Sequence, residues 1–100
     1  MNKIEYNGLI AFHPGYYVKD TIEAMEITHS EFAKRLGTTG NTVSRLVNGE
    51  IPLSHDLALK LSNMLGTGIE VWLNLQTEFD EQCFLMKQEK AMNPRAVSHN

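Results

Sequence analysis

A single cysteine, Cys83, is the only thiol among the 100 residues, so no disulfide can close within the chain. Its expected place is that of a small buried apolar side chain rather than a redox centre. No stretch has the length or composition of a signal peptide or a membrane span, which predicts a cytoplasmic protein with no membrane partner. The histidines, His13, His29, His55 and His99, are dispersed, and no Cys or His pair has zinc-ligand spacing, so no metal is expected. A glycine-rich phosphate loop and a G-x-S-x-G elbow are both missing. His55 and Asp56 stand together at a helix start, but sequence neighbours on a helix do not face each other as an acid–base pair would need to. Neither a cofactor nor a catalytic function is expected.

Positive charge is scarce as well. Lys and Arg number 9 against 12 Asp and Glu, a net charge of −3, which at first argues against nucleic acid, since phosphate neutralisation dominates DNA affinity. The distribution argues the other way. Lys34, Arg35 and Arg45 against Glu31 leave the middle of the chain locally positive, whereas Glu70, Glu78, Asp80, Glu81 and Glu89 face only Lys87 and Lys90. That acidic end would repel DNA or face a basic partner. The composition, 42% apolar and 21% charged, is that of one ordinary globular domain with a single modest core.

The most informative stretch is Thr28 to Gly49, which reads as two short helices meeting at a tight turn. Thr28 with Glu31 three residues on forms a capping-box pattern that starts the first helix, and Gly37 stops it. Phe32, Ala33 and Leu36 share its inward face. Thr38 or Thr39 can cap the second helix, and Thr39 is the better placed. Val43, Leu46 and Val47 face inward there, and Asn48-Gly49 tolerates a left-handed exit. Ala33 lets the helices approach, Gly37 permits positive φ, and Val43 fills the corner of a pair crossing at roughly 90 to 120°. The outward face, Gly40, Asn41, Thr42, Ser44 and Arg45, can bond bases or phosphates: Asn suits adenine, Arg suits guanine or a phosphate, and hydroxyls serve either.

Around this unit the chain reads simply. Ile4 and Tyr6 alternate with polar residues and Asn7-Gly8 marks a turn, so residues 1–12 form a short strand or an apolar arm. Pro14 suits the first turn of a helix ending near Met25, with Tyr17 or Val18, Ile22 and Met25 inward and His13 a surface or capping residue. Ser54 caps a helix built on Leu57, Ala58, Leu61, Met64 and Leu65 and stopped by Gly66. Thr67 and Glu70 form a second capping-box pattern opening the longest helix. Ile69, Trp72, Leu73, Leu75, Gln76, Phe79, Cys83, Leu85 and Met86 give that helix more apolar surface than one small core needs. Residues 13–90 are expected to form the domain and 91–100 a disordered tail. The expected fold is all-α, a compact five-helix bundle containing a helix-turn-helix.

The segments FAKRLGTTGNTVSRLVNG and LALKLSNMLGTGIEVWLNLQ, with His13-Pro14-Gly15 before them, resemble the HigA-type antitoxins, a branch of the XRE-like, phage-repressor-like helix-turn-helix family. The resemblance spans His13 to about Phe79, and the G-T-x-x-x-x-W-L-N-L-Q run is more particular to this branch than the helix-turn-helix alone. It implies a DNA-binding domain, usually a homodimer, that represses its own operon through operator DNA and binds a HigB-type toxin, a basic messenger-RNA-cleaving ribonuclease similar to RelE. The reading helix maps to Thr39–Val47, with Lys34, Arg35, Thr39, Gly40, Asn41, Thr42, Ser44 and Arg45 toward DNA. Trp72, Leu75 and Phe79 are the expected dimer anchors. The toxin-contacting candidates are the arm, through Tyr6, Leu9, Ile10 and Phe12, with the first helix, or else the acidic C-terminal helix. Two rival readings stay open: a stand-alone repressor without a toxin, and a protein-interaction module that no longer binds DNA.

Overall fold

The computed structural model of the chain describes residues 3–6 and 8–92. Its elements run β1 (Lys3–Tyr6), β2 (Leu9–Phe12), α1 (Pro14–Met25), α2 (His29–Leu36), α3 (Gly40–Val47), α4 (His55–Leu65) and α5 (Ile69–Met92). The expected five helices are present, preceded by a small antiparallel hairpin. The tail expected over 91–100 falls largely outside the described residues, and α5 continues to Met92.

The helices start and stop where local chemistry says they should. Thr28, Thr39 and Ser54 each accept a hydrogen bond from the backbone N–H three residues on, at 3.0, 3.1 and 3.2 Å. Each satisfies a first-turn donor that has no partner inside its helix. Gly37 and Gly66 end α2 and α4 in left-handed geometry, with φ of 93° and 78°. Neither capping box closes in full. Glu31 gives its Oε2 to the Arg35 Nε at 2.9 Å. The Thr67 hydroxyl accepts the Trp72 indole N–H at 2.8 Å, and α5 begins only at Ile69.

The core takes one apolar stripe from each helix: Val18 and Ile22; Phe32, Ala33 and Leu36; Val43, Leu46 and Val47; Leu57, Ala58 and Leu61; and Trp72. Side chains as fully buried as Phe32, Leu46 and Leu61 each contribute roughly 1.5–3 kcal/mol. On α1 it is Val18, not Tyr17, that turns inward.

Of the two places expected of His13, on the surface or as a cap, it takes the second. It caps α1, its Nδ1 accepting the Gly15 N–H at 2.9 Å, yet it is only 2% exposed. Its ring meets Phe79 of α5 edge-on, with centroids 5.1 Å apart. Nearby, the buried Gln76 amide accepts the Leu53 N–H at 2.8 Å and donates to Asp80 Oδ1 at 2.8 Å. These contacts clamp the start of α1, the loop before α4 and the middle of α5 into one joint. A buried N–H left unpaired would cost about 1–3 kcal/mol, so Gln76 is as much a structural residue as its apolar neighbours.

Beyond that joint α5 carries the hairpin. The register pairs Lys3 with Phe12, Ile4 with Ala11, Glu5 with Ile10 and Tyr6 with Leu9. Ala11 is buried and Gln82 Nε2 donates to the Leu9 carbonyl at 3.2 Å. The surplus apolar surface of α5 is therefore covered in part by the chain's own first residues.

Candidate nucleic-acid interface

The outward side of α3 is built on a rigid base. Val43, Leu46 and Val47 anchor it in the core, and at its far end Gly15 of α1 lies against the backbone of Leu46 and Val47. With the inward face fixed, the solvent-facing residues are fixed by helix geometry.

Asn41 and Arg45, four apart, are exposed on one face of α3. Thr42 and Ser44 are half-buried and already engaged. The Thr39 hydroxyl donates to the Thr42 hydroxyl at 2.9 Å, and Ser44 Oγ stands 3.2 Å from His29 Nδ1 of α2. Gly40 lies beside Ser30. The N-terminal turn of α2 thus adjoins the outward side of α3, so backbone N–H groups of two helix starts converge there, the positive ends of two helix dipoles.

Sequence spacing gives His29 and Ser30 no place at this face, since His29 stands out in the sequence only as one of the dispersed histidines. A hydroxyl-bearing outward residue one helix away was the available signal, but only the fold brings the pair together. Lys34 and Arg35 are exposed in the last turn of α2, and Arg35 is tied to Glu31. Arg45 Nε lies 3.6 Å from Glu50 Oε1.

The expected dimer anchors are divided in depth. Trp72 is 4% exposed and belongs to the domain's own core, while Leu75 and Phe79 are half-buried. Among the described residues, the large exposed apolar side chains of α5 are Val71, Phe84 and Leu85. In the hairpin, strand alternation puts Leu9 on one face and Ile10 and Phe12 on the other. Leu9 and Ile10 are exposed, Phe12 stacks on Tyr16 with centroids 4.6 Å apart, and the Tyr6 side chain lies outside the described residues. A groove of about 370 Å³ between hairpin and α5 is lined by Leu9, Ile10, Ala11 and Leu85 with Glu78, Glu81 and Gln82.

Two other residue types fill structural positions. Cys83 is half-buried, and burial pushes its thiol pKa up, away from thiolate chemistry. No group of His, Cys, Asp or Glu among the described residues could hold a metal ion, and no described helix is long and apolar enough to cross a membrane.

Two short helices of this geometry, packed at a glycine turn with a polar outward helix on an apolar base, define a helix-turn-helix DNA-binding unit. A helix-turn-helix family profile matches residues 18–72, and the chain belongs to that family, one of DNA-binding regulators and not of enzymes. The relatives that it resembles include HigA-type antitoxins. It is 42% identical over 59 residues to antitoxin HigA-1 of Vibrio cholerae, an alignment covering 59% of this chain and 55% of that one, so the chain spans about half of that relative's length. An addiction module antidote protein of the HigA family from Coxiella burnetii superposes with a TM-score of 0.76 at 30% identity, covering 84% of this chain and 92% of that one. The antitoxin GraA in complex with its operator gives a TM-score of 0.72 at 30% identity over 97% of both chains.

Proposed function

We propose that this chain is the antitoxin of a type II toxin–antitoxin module, acting in the cytoplasm as a homodimer on operator DNA to repress its own operon, and neutralising a HigB-type toxin. The observation that carries the reading is the outward face of α3. Asn41 and Arg45 project from a helix whose base is locked into the core, in a fold similar over nearly its whole length to an antitoxin in complex with its operator.

In this reading α3 enters the major groove. Asn41 and Arg45 contact base edges, where bidentate pairing with adenine and guanine is available to them. Thr39, Gly40, Thr42 and Ser44 shape the backbone approach, and Lys34, Arg35 and the first-turn N–H groups hold phosphates. Dimerisation places two reading helices about 34 Å apart on a palindromic site, so that two weak half-site contacts combine. The surface that supports dimerisation is α5, through Leu75, Phe79 and the exposed Val71 rather than through the buried Trp72.

Toxin neutralisation is assigned to the hairpin and the adjoining acidic side of α5. Leu9 and Ile10 supply exposed apolar contacts, Phe12 stands in the same strand, and Glu78 and Glu81 give the rim a sign suited to a basic partner. The hairpin and α5, two separate candidates on sequence grounds, thereby become parts of a single surface.

An electrophoretic shift of the DNA upstream of the gene, run at two salt concentrations with and without the product of the adjacent small gene, tests both halves. Specific retardation that weakens with salt is expected for the repressor, and a supershift for the toxin complex. Absence of retardation with the neighbour still co-purifying would leave a protein-binding antitoxin and remove the DNA assignments.

A further inference from the structure

Arg45 is the only cation in the α3 sequence GNTVSRLV, and it stands beside a carboxylate. The way the chain leaves α3 puts it there. After Asn48 (φ −86°) the backbone turns through left-handed Gly49 (φ 73°). The Gly49 N–H donates to the Leu46 carbonyl at 3.0 Å and the Glu50 N–H to the Arg45 carbonyl at 2.9 Å. This paired closure is a Schellman motif, which returns the second residue past the cap to the residue at the start of the last turn. Glu50 is therefore delivered to Arg45 by backbone hydrogen bonds, and its Oε1 stands 3.6 Å from Nε.

Fold stability is a poor reason for the pair. Both side chains are half-exposed, 52% and 55%, and exposed pairs of this kind contribute little once solvent and salt screen them. Its effect falls on the arginine. A guanidinium presents its donors as a planar fork, and a bidentate contact with guanine uses two of them in parallel. Engagement from the Nε side narrows the rotamers open to Arg45 through a contact at Nε rather than at the terminal amino groups. The carboxylate also offsets part of the guanidinium's charge, which weakens the pull of Arg45 on a fully charged phosphate more than its hydrogen bonds to the partial charges of a guanine edge.

We infer that Glu50 is a specificity-determining positioning residue, one that holds Arg45 from its Nε side for a base edge and keeps the guanidinium from being taken up by backbone phosphates. The inference rests on α3 being the DNA-reading helix. Glu50 lowers affinity for every duplex, but lowers it more where only phosphates are offered, so the ratio of operator to non-operator binding rises.

The test is fluorescence anisotropy of the full chain on three duplexes of equal length: the upstream operator, single-base-pair variants of it, and a scrambled sequence, each at two salt concentrations. Glu50→Gln keeps the backbone closure and removes the charge. It should bind the scrambled duplex roughly three- to tenfold tighter with a steeper salt dependence, since one more uncompensated cation releases counterions. The operator should gain less, so the specificity ratio falls, and the lost discrimination should concentrate at the base pair to which Arg45→Ala is sensitive. In an Arg45→Ala background the glutamine should have no further effect, the signature of two residues acting through one contact. Equal tightening on operator and scrambled DNA, persistence of the effect without Arg45, or no change at all would each overturn the inference. A parent protein that does not distinguish operator from scrambled DNA would overturn the reading of α3 as well, whereas a discriminating parent with an indifferent Glu50→Gln would leave that reading standing.

Discussion

Gly15 of α1 meets Leu46 of α3 with no room for a methyl group: a Cβ built on Gly15 would lie 1.9 Å from the Leu46 carbonyl oxygen and 3.0 Å from the Val47 Cα. The obstacle is backbone, which cannot rotate aside as a side chain would. Gly15→Ala must push α1 away from the C-terminal turn of α3. Overpacking of this kind typically costs about 1–3 kcal/mol, and the upper end is expected here because both sides are main chain. Urea denaturation should show a clearly lowered midpoint, and operator binding should weaken because the displaced turn carries Arg45. An unchanged midpoint would mean that the two helices are not packed this closely.

His13 makes the same joint sensitive to acid. Burial lowers its pKa below the usual imidazole value, and this outweighs a hydrogen bond with the Ile51 backbone and the nearby charge of Asp80, both of which raise it. With its folded pKa depressed, the unfolded chain binds more protons at mildly acidic pH. Stability from this group is then complete above the ordinary imidazole pKa of about 6.5 and is lost as pH falls from there through the folded value. Protonation would also remove the Nδ1 lone pair that accepts the Gly15 N–H. Denaturation midpoints should fall between neutral pH and pH 5. His13→Asn keeps a capping acceptor but cannot titrate, so the portion of the slope belonging to His13 should vanish in it; an identical slope would assign the effect to other groups.

What could be read in the sequence was mostly local. Thr28, Thr39 and Ser54 act on the N–H three residues on, and Gly37 and Gly66 act on the turn that they occupy, so spacing alone located the helices. The outward side of α3 followed from its inward stripe. Long-range competition was illegible. Thr67 was a plausible cap until Trp72 took its hydroxyl, Glu31 could have closed its box until Arg35 took its carboxylate, and Trp72 looked available to a partner until the core enclosed it. His13, Gln76 and Ser44 each found a partner on another element, and no spacing rule reports that.

Glu26 closes α1 in the left-handed region, φ 58° and ψ 42°, the only non-glycine residue with positive φ among those described. Its N–H is held by the Glu23 and Ile22 carbonyls, so the conformation is imposed by the helix end. A side chain there costs about 1–2 kcal/mol that glycine avoids, and part of the gain is returned because glycine is freer when unfolded. Glu26→Gly should stabilise by about 1 kcal/mol, a rise in melting temperature of about 4–8 °C for a domain of this size. A lower melting temperature would show that the Glu26 side chain makes contacts worth more than the strain.

Arg45 and Asn41 offer the most direct check on the DNA assignment, because the hydroxyls of Thr42 and Ser44 are already engaged within the unit while these two side chains stand exposed. If Arg45 forks onto a guanine, Arg45→Ala should cost about 1–3 kcal/mol at one base pair of each half-site and leave discrimination elsewhere intact. If it holds a phosphate, all sequences should weaken alike and the slope of affinity against salt should drop by about 1. The exposed position one turn beyond Asn41 favours the base contact, since a helix lying in the major groove turns its i and i+4 residues to the same run of base edges. Binding of Arg45→Ala and Asn41→Ala to a panel of single-base operator variants should then place their two sensitive positions on neighbouring base pairs. Uniform weakening by both variants would move them to the phosphates, and affinity unchanged by either would take α3 out of the groove.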